Sequence, residues 1–222
     1  MSLFFFMVIE QLKKRFETAL PGKDFQLRMA HAARLEMGDN LPTSDSKSSA
    51  VLVLIYPKSG EWHLLLIERT HRGNDRHGGQ VSFPGGKFEL SDIDLAHCAL
   101  RETFEEVGVE IPMSQIIGEM TELYIPVSNF RVVPYLAYSE VELVFNPSVS
   151  EVKRVLETPL GLLQDPEAIK VTDLWISEKV QLKYVPYYDV FGKMVWGATA
   201  MMISELLEMV RAGDQTLEIH SI

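Results

Sequence analysis

The sequence predicts an α/β fold in which a mixed β-sheet is held between helices. Three observations carry that expectation. The run Ala50-Val-Leu-Val-Leu-Ile-Tyr56 is continuously apolar, as suits a strand covered on both faces. Trp62-His-Leu-Leu-Leu-Ile67 repeats the pattern after the turn sequence Pro57-Lys-Ser-Gly60, so the two runs read as a hairpin. Farther along, strand and helix signals interleave without strict alternation, which argues against a doubly wound parallel sheet.

The elements follow in order. Phe5, Val8, Ile9, Leu12 and Phe16 recur near helical spacing and predict a first helix. Its apolar start, Leu3 to Ile9, has no basic residue before it and no small-residue cleavage site after it. It is a poor signal peptide and too short to span a bilayer. The linker-like stretch Gly38 to Ser49 separates this region from the rest. Residues 1–45 therefore read as a helical extension, too short for a core of its own, packed on a main domain of residues 46–222. After the hairpin comes a polar loop, Thr70 to Gly79, and a short strand over Gln80 to Phe83 that Pro84-Gly85-Gly86 stops. Asp92 or Asp94 opens the next helix and Gly108 closes it, with Leu95, Leu100, Phe104 and Val107 as its apolar surface. Strands are predicted over 116–123, 132–138, 152–156, 169–175 and 182–187, and a final helix over 198–211.

Charge and cysteine usage narrow the function classes. The 222 residues carry a formal net charge of -10, which disfavours nucleic-acid binding but leaves room for a small polyanion in a locally basic or metal-bearing pocket. The single cysteine, Cys98, excludes an intrachain disulfide and a thiolate-cluster metal site, and fits a reducing compartment such as the cytoplasm.

The segment with most chemistry runs from Gly85-Gly86-Lys87-Phe88-Glu89 through Asp92 and Asp94 to Arg101-Glu102-Thr103-Phe104-Glu105-Glu106-Val107-Gly108. On a helix Glu102, Glu105 and Glu106 share one face, because they are related by i, i+3 and i+4. Three neighbouring carboxylates repel one another, and a hard divalent cation relieves that repulsion. The glycine pair lets bare backbone approach the helix, so a carbonyl of Gly85 or Gly86 can join the oxygen shell, with Gly86 the candidate ligand. Arg101 can grip a carboxylate bidentately and lock its rotamer. Such a site suits metal-assisted attack of water on a phosphoanhydride, with a remaining carboxylate as proton acceptor. Each feature has a plainer reading: a solvated acidic face, a turn, a surface ion pair.

This window resembles the Nudix box: Gly, five residues, Glu, seven residues, then Arg-Glu-apolar-x-Glu-Glu-x-Gly-apolar. Here the acid is Asp92, eight residues separate it from Arg101 where seven are usual, and Thr103 replaces the apolar residue. In these departures it is similar to the coenzyme A pyrophosphatase-like branch, which carries Gly-Gly-Lys-x-acid-x-x-Asp-x-Asp, matched by Gly85 to Asp94. Gly79 to Gly86, Ser128 to Pro134, Glu151-Val152, Pro159-Leu160 and Trp196 to Ala200 extend the resemblance. One place departs: Asp75 stands where the branch usually has arginine, four residues before Gly79.

The resemblance implies a Nudix-type α/β/α sandwich with a mixed sheet. It implies Mg²⁺ or Mn²⁺ held by Glu102, Glu105 and Glu106, and hydrolysis of a diphosphate in a nucleoside diphosphate derivative. Coenzyme A or acyl-coenzyme A leads, giving 3′,5′-ADP and (acyl)phosphopantetheine; ADP-ribose or another nucleoside diphosphate is the alternative. The partners expected are that small molecule and, at most, a second copy of the chain, with neither nucleic acid nor membrane. A non-catalytic module on the same scaffold would be expected to lose box carboxylates, and all three are present.

Other residues complete the candidate site. Arg69 and Lys87 are candidate phosphate contacts, Lys87 being equally a surface lysine. Glu151 is a candidate distant general base, against an ordinary exposed glutamate. Phe83, Phe130 and Trp196 can stack a base, though core packing is the default for aromatics. Glu89 is a helper ligand or a loop carboxylate. His77 and His97 read as surface or satisfied histidines, and Cys98 as a small core residue.

Overall fold

The computed structural model describes residues 3–36, 41–71 and 78–218. The chain opens with α1 (Leu3–Phe16) and two short helices, α2 (Lys23–Gln26) and α3 (Ala32–Glu36). Strands β1 (Lys47–Lys58), β2 (Glu61–Arg69), β3 (Val81–Ser82) and β4 (Gly85–Lys87) lead into α4 (Leu95–Val107). Then come β5 (Ile116–Glu119), β6 (Leu123–Ile125), β7 (Phe130–Tyr138), β8 (Val152–Pro159) and α5 (Leu160–Gln164). The described chain ends with β9 (Ile169–Ser177), β10 (Val180–Val190), β11 (Lys193–Trp196) and α6 (Gly197–Glu218).

The main sheet is mixed. Its path is β3-β2-β1-β7-β5, with β4 also on β1, β6 on β7 and β8 on β2. β1 and β7 run parallel, Lys47–Ile55 against Phe130–Tyr138, and the other pairs are antiparallel. β1 and β2 pair from Ile55↔Leu64 to Lys58↔Glu61 and then diverge. Residues 81–87 enter the fork, β3 bonding to β2 and β4 to the other half of β1. That fork is where the candidate site forms.

Alternation along the strands explains the two layers of helix. Leu52, Leu54, Tyr56, Leu65 and Ile67 pack with Cys98, Ala99 and Val107 of α4. Val53, Ile55, Leu64 and Leu66 pack with Phe5, Ile9 and Leu12 of α1 and with Ile203 and Leu206 of α6. With both faces covered, neither strand needs polar alternation, which is why the sequence runs were continuous.

α2 joins the same body through a buried polar knot. Gln26, with no exposed surface, donates from Nε2 to Glu205 Oε2 at 2.9 Å and to the Thr121 carbonyl at 2.8 Å. Glu205 Oε1 also accepts from Thr121 Oγ1 at 2.6 Å and from the Gly22 N–H at 3.2 Å. Removing this acceptor strands buried donors. Glu205→Ala is therefore expected to destabilise the fold by about 3 kcal/mol in urea titration, while Glu205→Gln loses less.

The fold corrects four local readings. Strand β1 begins at Lys47, inside the stretch read as linker. Gly85-Gly86, read as a strand stop, are themselves paired in β4. The strand expected over 116–123 is broken into β5 and β6, with an irregularity between Ile116 and Gly118, where the Phe16 ring occupies the space a Cβ on Gly118 would need. The late strands form a separate antiparallel sheet, β11-β10-β9. It is tied to the main sheet by Glu68 of β2, which accepts from Lys153 at 2.9 Å and from Lys193 of β11 at 3.1 Å.

Candidate active site

Helix α4 is positioned by its ends and by small residues on one face. Asp94 caps the start, accepting the His97 N–H at 2.8 Å, and Gly108, at φ 70°, closes the end by donating to the Phe104 carbonyl. Cys98, Ala99, Thr103, Glu106 and Val107 face inward, so the helix lies close against the sheet. Thr103 is tolerated there because its hydroxyl donates to the Ala99 carbonyl at 2.7 Å. Phe104, expected in the apolar face, is instead 55% exposed, since its place on the helix turns it outward.

The rotation that buries Ala99, Thr103 and Val107 also buries a charge. Glu106 is only 2% exposed, Glu102 is half-buried and Glu105 is exposed. Glu106 Oε2 accepts the Gly85 N–H at 2.9 Å and Oε1 lies 3.3 Å from Arg69 Nη1. Burial pushes its pKa up to about 7 against the pull of both partners, with Glu102 and Glu151 adding like-charge repulsion. Glu102 is raised as well, first by burial, with Arg101 opposing and Glu105 and Glu151 reinforcing. Glu151 thus sits within electrostatic reach of both carboxylates. It is brought there at the start of β8, where its carbonyl accepts the N–H of Thr70, next to Arg69, at 2.8 Å.

Arg101 holds the exposed side of the group. Its fork binds Asp92 bidentately, Nε to Oδ1 at 2.7 Å and Nη2 to Oδ2 at 2.9 Å. Nη1 donates to Glu102 at 2.9 Å and to Glu105 at 3.1 Å. The bidentate partner is therefore Asp92 and not one of the glutamates, because the turn after β4 brings Asp92 under the helix while Asp94 takes the cap. In the sequence Asp92 fits both a helix cap and the acid of the motif, and the signal for its pairing is the eight residues between it and Arg101. The Arg101 contact holds Asp92 down to about pKa 2. A folded pKa below the unfolded one stabilises the fold above about pH 4, and that contribution is lost as pH falls to 2. Asp92→Asn is expected to cost about 2 kcal/mol at neutral pH, with the gap to wild type closing in urea titrations as pH falls from about 4 to 2.

Glycine makes the approach of β4 to α4 work. A Cβ on Gly86 would lie 2.3 Å from the Glu102 carboxyl carbon. The Gly86 carbonyl is 3.7 Å from the Cys98 thiol, which is buried and pushed up to about 12 by burial, so Cys98 acts as core and not as nucleophile. On the other face of this wall lies a cavity of about 910 Å³, lined by Arg69, Phe83, Gly85, Gly86, Lys87 and Trp196 among others. Lys87 is exposed at its rim, and Phe83 is almost wholly buried in the core that α6 shares.

The donor set fits a hard divalent cation: three carboxylates of graded exposure, a backbone carbonyl, and a slot beside Glu102 that a Cβ would fill. Among the described residues no three His, Cys, Asp or Glu side chains already converge as a closed ligand cluster. Arg101 and Arg69 compensate the carboxylates instead. Asp75, Arg72, Arg76 and His77 lie outside the described residues. Glu89 is exposed in the loop before α4, and His97 is paired with Asp94 at 2.8 Å.

Comparison with known proteins gives the family. The family model described as NUDIX domain matches residues 46–181. The chain is 33% identical over 168 residues to the mitochondrial coenzyme A diphosphatase NUDT8 of Homo sapiens, covering 75% of this chain and 70% of that protein. It is 31% identical over 189 residues to the Nudix hydrolase NudL of Pectobacterium atrosepticum, covering 82% and 88%. A solved MutT/nudix family protein from Enterococcus faecalis shares the fold, with a TM-score of 0.52 at 18% identity over 85% of this chain and 73% of that one. With the carboxylate helix in place and these matches along most of its length, the chain belongs to the Nudix family and is a pyrophosphohydrolase acting on nucleoside diphosphate derivatives.

Proposed function

We propose that the enzyme cleaves the diphosphate of coenzyme A or an acyl-coenzyme A. The observation that carries this reading is the arrangement at β4, where a carboxylate-bearing helix and a large, mostly apolar cavity meet across a glycine wall with Arg69 beside it. A molecule with a diphosphate and a long, partly apolar arm suits that arrangement. The name of the human relative supports the same substrate.

In this reading Glu102, Glu105, Glu106 and the Gly86 carbonyl hold Mg²⁺ or Mn²⁺, which supplies neutralisation of the diphosphate and acidification of water. Arg69 and Lys87 bind the diphosphate oxygens, Arg69 while neutralising Glu106. Arg101 is a positioning residue, holding Glu102 and Glu105 in fixed rotamers from its anchor on Asp92. Glu151 takes the proton of the attacking water. Phe83 and Trp196 form the apolar wall beyond the diphosphate. A reducing compartment such as the cytoplasm fits the free, buried Cys98, and among the described residues no helix is long and apolar enough to cross a membrane.

Asp75 in place of the branch's arginine favours a second reading, in which ADP-ribose or another nucleoside diphosphate is the substrate. Coenzyme A and ADP-ribose are to be compared side by side with Mg²⁺ and with Mn²⁺, identifying products by mass. Release of 3′,5′-ADP from coenzyme A is the expected result. Intact coenzyme A alongside cleaved ADP-ribose transfers the assignment to the second reading.

A further inference from the structure

The cavity lined by β4 is lined by the N-terminal extension as well. Arg34 of α3 and His31 just before it line the same space as Arg69 and Lys87. Arg34 is half-buried, and among the described residues its guanidinium has one partner, the Tyr124 carbonyl, 2.7 Å from Nη2. Among the described residues it forms no ion pair. Glu122, the acid among the lining residues, is committed to Arg131 by bonds of 2.6 to 3.2 Å. Burial lowers the pKa of Arg34, and burial together with the nearby Arg34 keeps His31 neutral, its Nδ1 accepting the Arg34 backbone N–H at 3.2 Å.

One more observation points to a polar ligand here: Ser82, which lines the cavity, has a buried hydroxyl with no hydrogen-bond partner among the described residues. The lining thus carries basic side chains from three elements, Arg69 of β2, Lys87 of β4 and Arg34 of α3, beside apolar ones such as Leu123 and Phe130. A ligand with more than one anionic group and a flat or apolar part matches that pattern.

We propose that Arg34 binds a second anionic group of the substrate, a phosphomonoester remote from the scissile diphosphate. This rests on the reading of the site as a nucleoside diphosphate hydrolase, and it makes the N-terminal extension a specificity-determining part of the enzyme. A guanidinium–phosphate contact is charge-assisted and bidentate in its best geometry, and its loss corresponds to about a 10- to 100-fold change in affinity.

The test is calorimetric binding to the full chain in EDTA, so that no turnover or metal enters, with adenosine 3′,5′-bisphosphate and adenosine 5′-monophosphate as probes. Wild type is expected to prefer the bisphosphate by about 10- to 100-fold. Arg34→Gln is expected to bring the two affinities within about threefold, and Arg34→Lys to fall between, retaining charge without the fork. Equal affinities in wild type, no measurable binding of either probe, or an Arg34→Gln variant that keeps the preference each overturn the proposal. Should Arg34→Gln fail to fold, the wild-type and Arg34→Lys ratios decide. Cleavage of coenzyme A without a bisphosphate preference removes the role of Arg34 and leaves the hydrolase reading standing. The preference and its collapse without cleavage of coenzyme A do the reverse.

Discussion

Glu106→Gln is expected to lower kcat by about a thousandfold while leaving the metal-free protein as stable as wild type or slightly more so. The two halves of that expectation share one cause. Glu106 is 2% exposed and its ionised form is disfavoured by burial enough to lift its pKa to about 7. A buried carboxylate with a single guanidinium against it at 3.3 Å is a burden on the fold. The amide oxygen keeps the bond from the Gly85 N–H, while its NH2 takes the place of the oxygen that faced Arg69, so that contact is given up together with the charge. What is lost is the anionic oxygen proposed to face the cation and, through it, the diphosphate. Steady-state kinetics with saturating Mg²⁺ and thermal denaturation in EDTA measure the two effects separately. A variant with wild-type kcat removes Glu106 from the metal site, and one that melts far below wild type makes it a structural residue.

Alanine at the two neighbouring glycines is expected to separate activity from folding. At Gly86 the new methyl group would meet the Glu102 carboxyl at 2.3 Å, the far end of a flexible side chain. The chain folds, Glu102 swings away, and kcat falls by about a hundredfold, as for a catalytic group displaced by an ångström. At Gly85 the φ of 153° is unfavourable for alanine, and the Cβ would lie 2.3 Å from the Ala50 carbonyl and 2.6 Å from Val51 Cα. Backbone in a sheet cannot yield as a side chain does. Gly85→Ala is therefore expected to cost about 3 kcal/mol or more and to tear β4 from β1. Urea titration and kinetics on both variants check the contrast. Equal losses of stability would mean that Gly86, too, serves only the packing of the fork.

The helix that carries the chemistry was readable because its logic is local. Asp94, Gly108 and the spacing of Glu102, Glu105 and Glu106 act within a few turns, and the i, i+3, i+4 relation needs no knowledge of the rest of the chain. The hairpin of β1 and β2 was readable for the same reason. Less was legible in the roles within the carboxylate face. Nothing in the motif separates a buried Glu106 from an exposed Glu105, because exposure depends on which side of α4 meets the sheet. Likewise the partner of the Arg101 fork is a loop residue, Asp92, nine positions away across a turn.

The sequence by itself determined the fold class, the carboxylate helix and the two strands that anchor it, since periodicity and capping are properties of consecutive residues. Tertiary structure alone decided that residues 81–87 fill the fork between β1 and β2, that the late strands form a second sheet, and that α2 and α3 line the same cavity as Arg69. Those pairings join residues tens of positions apart. Their selection rests on packing complementarity and on the loss of chain entropy that long-range closure must overcome, neither of which leaves a mark in any short window.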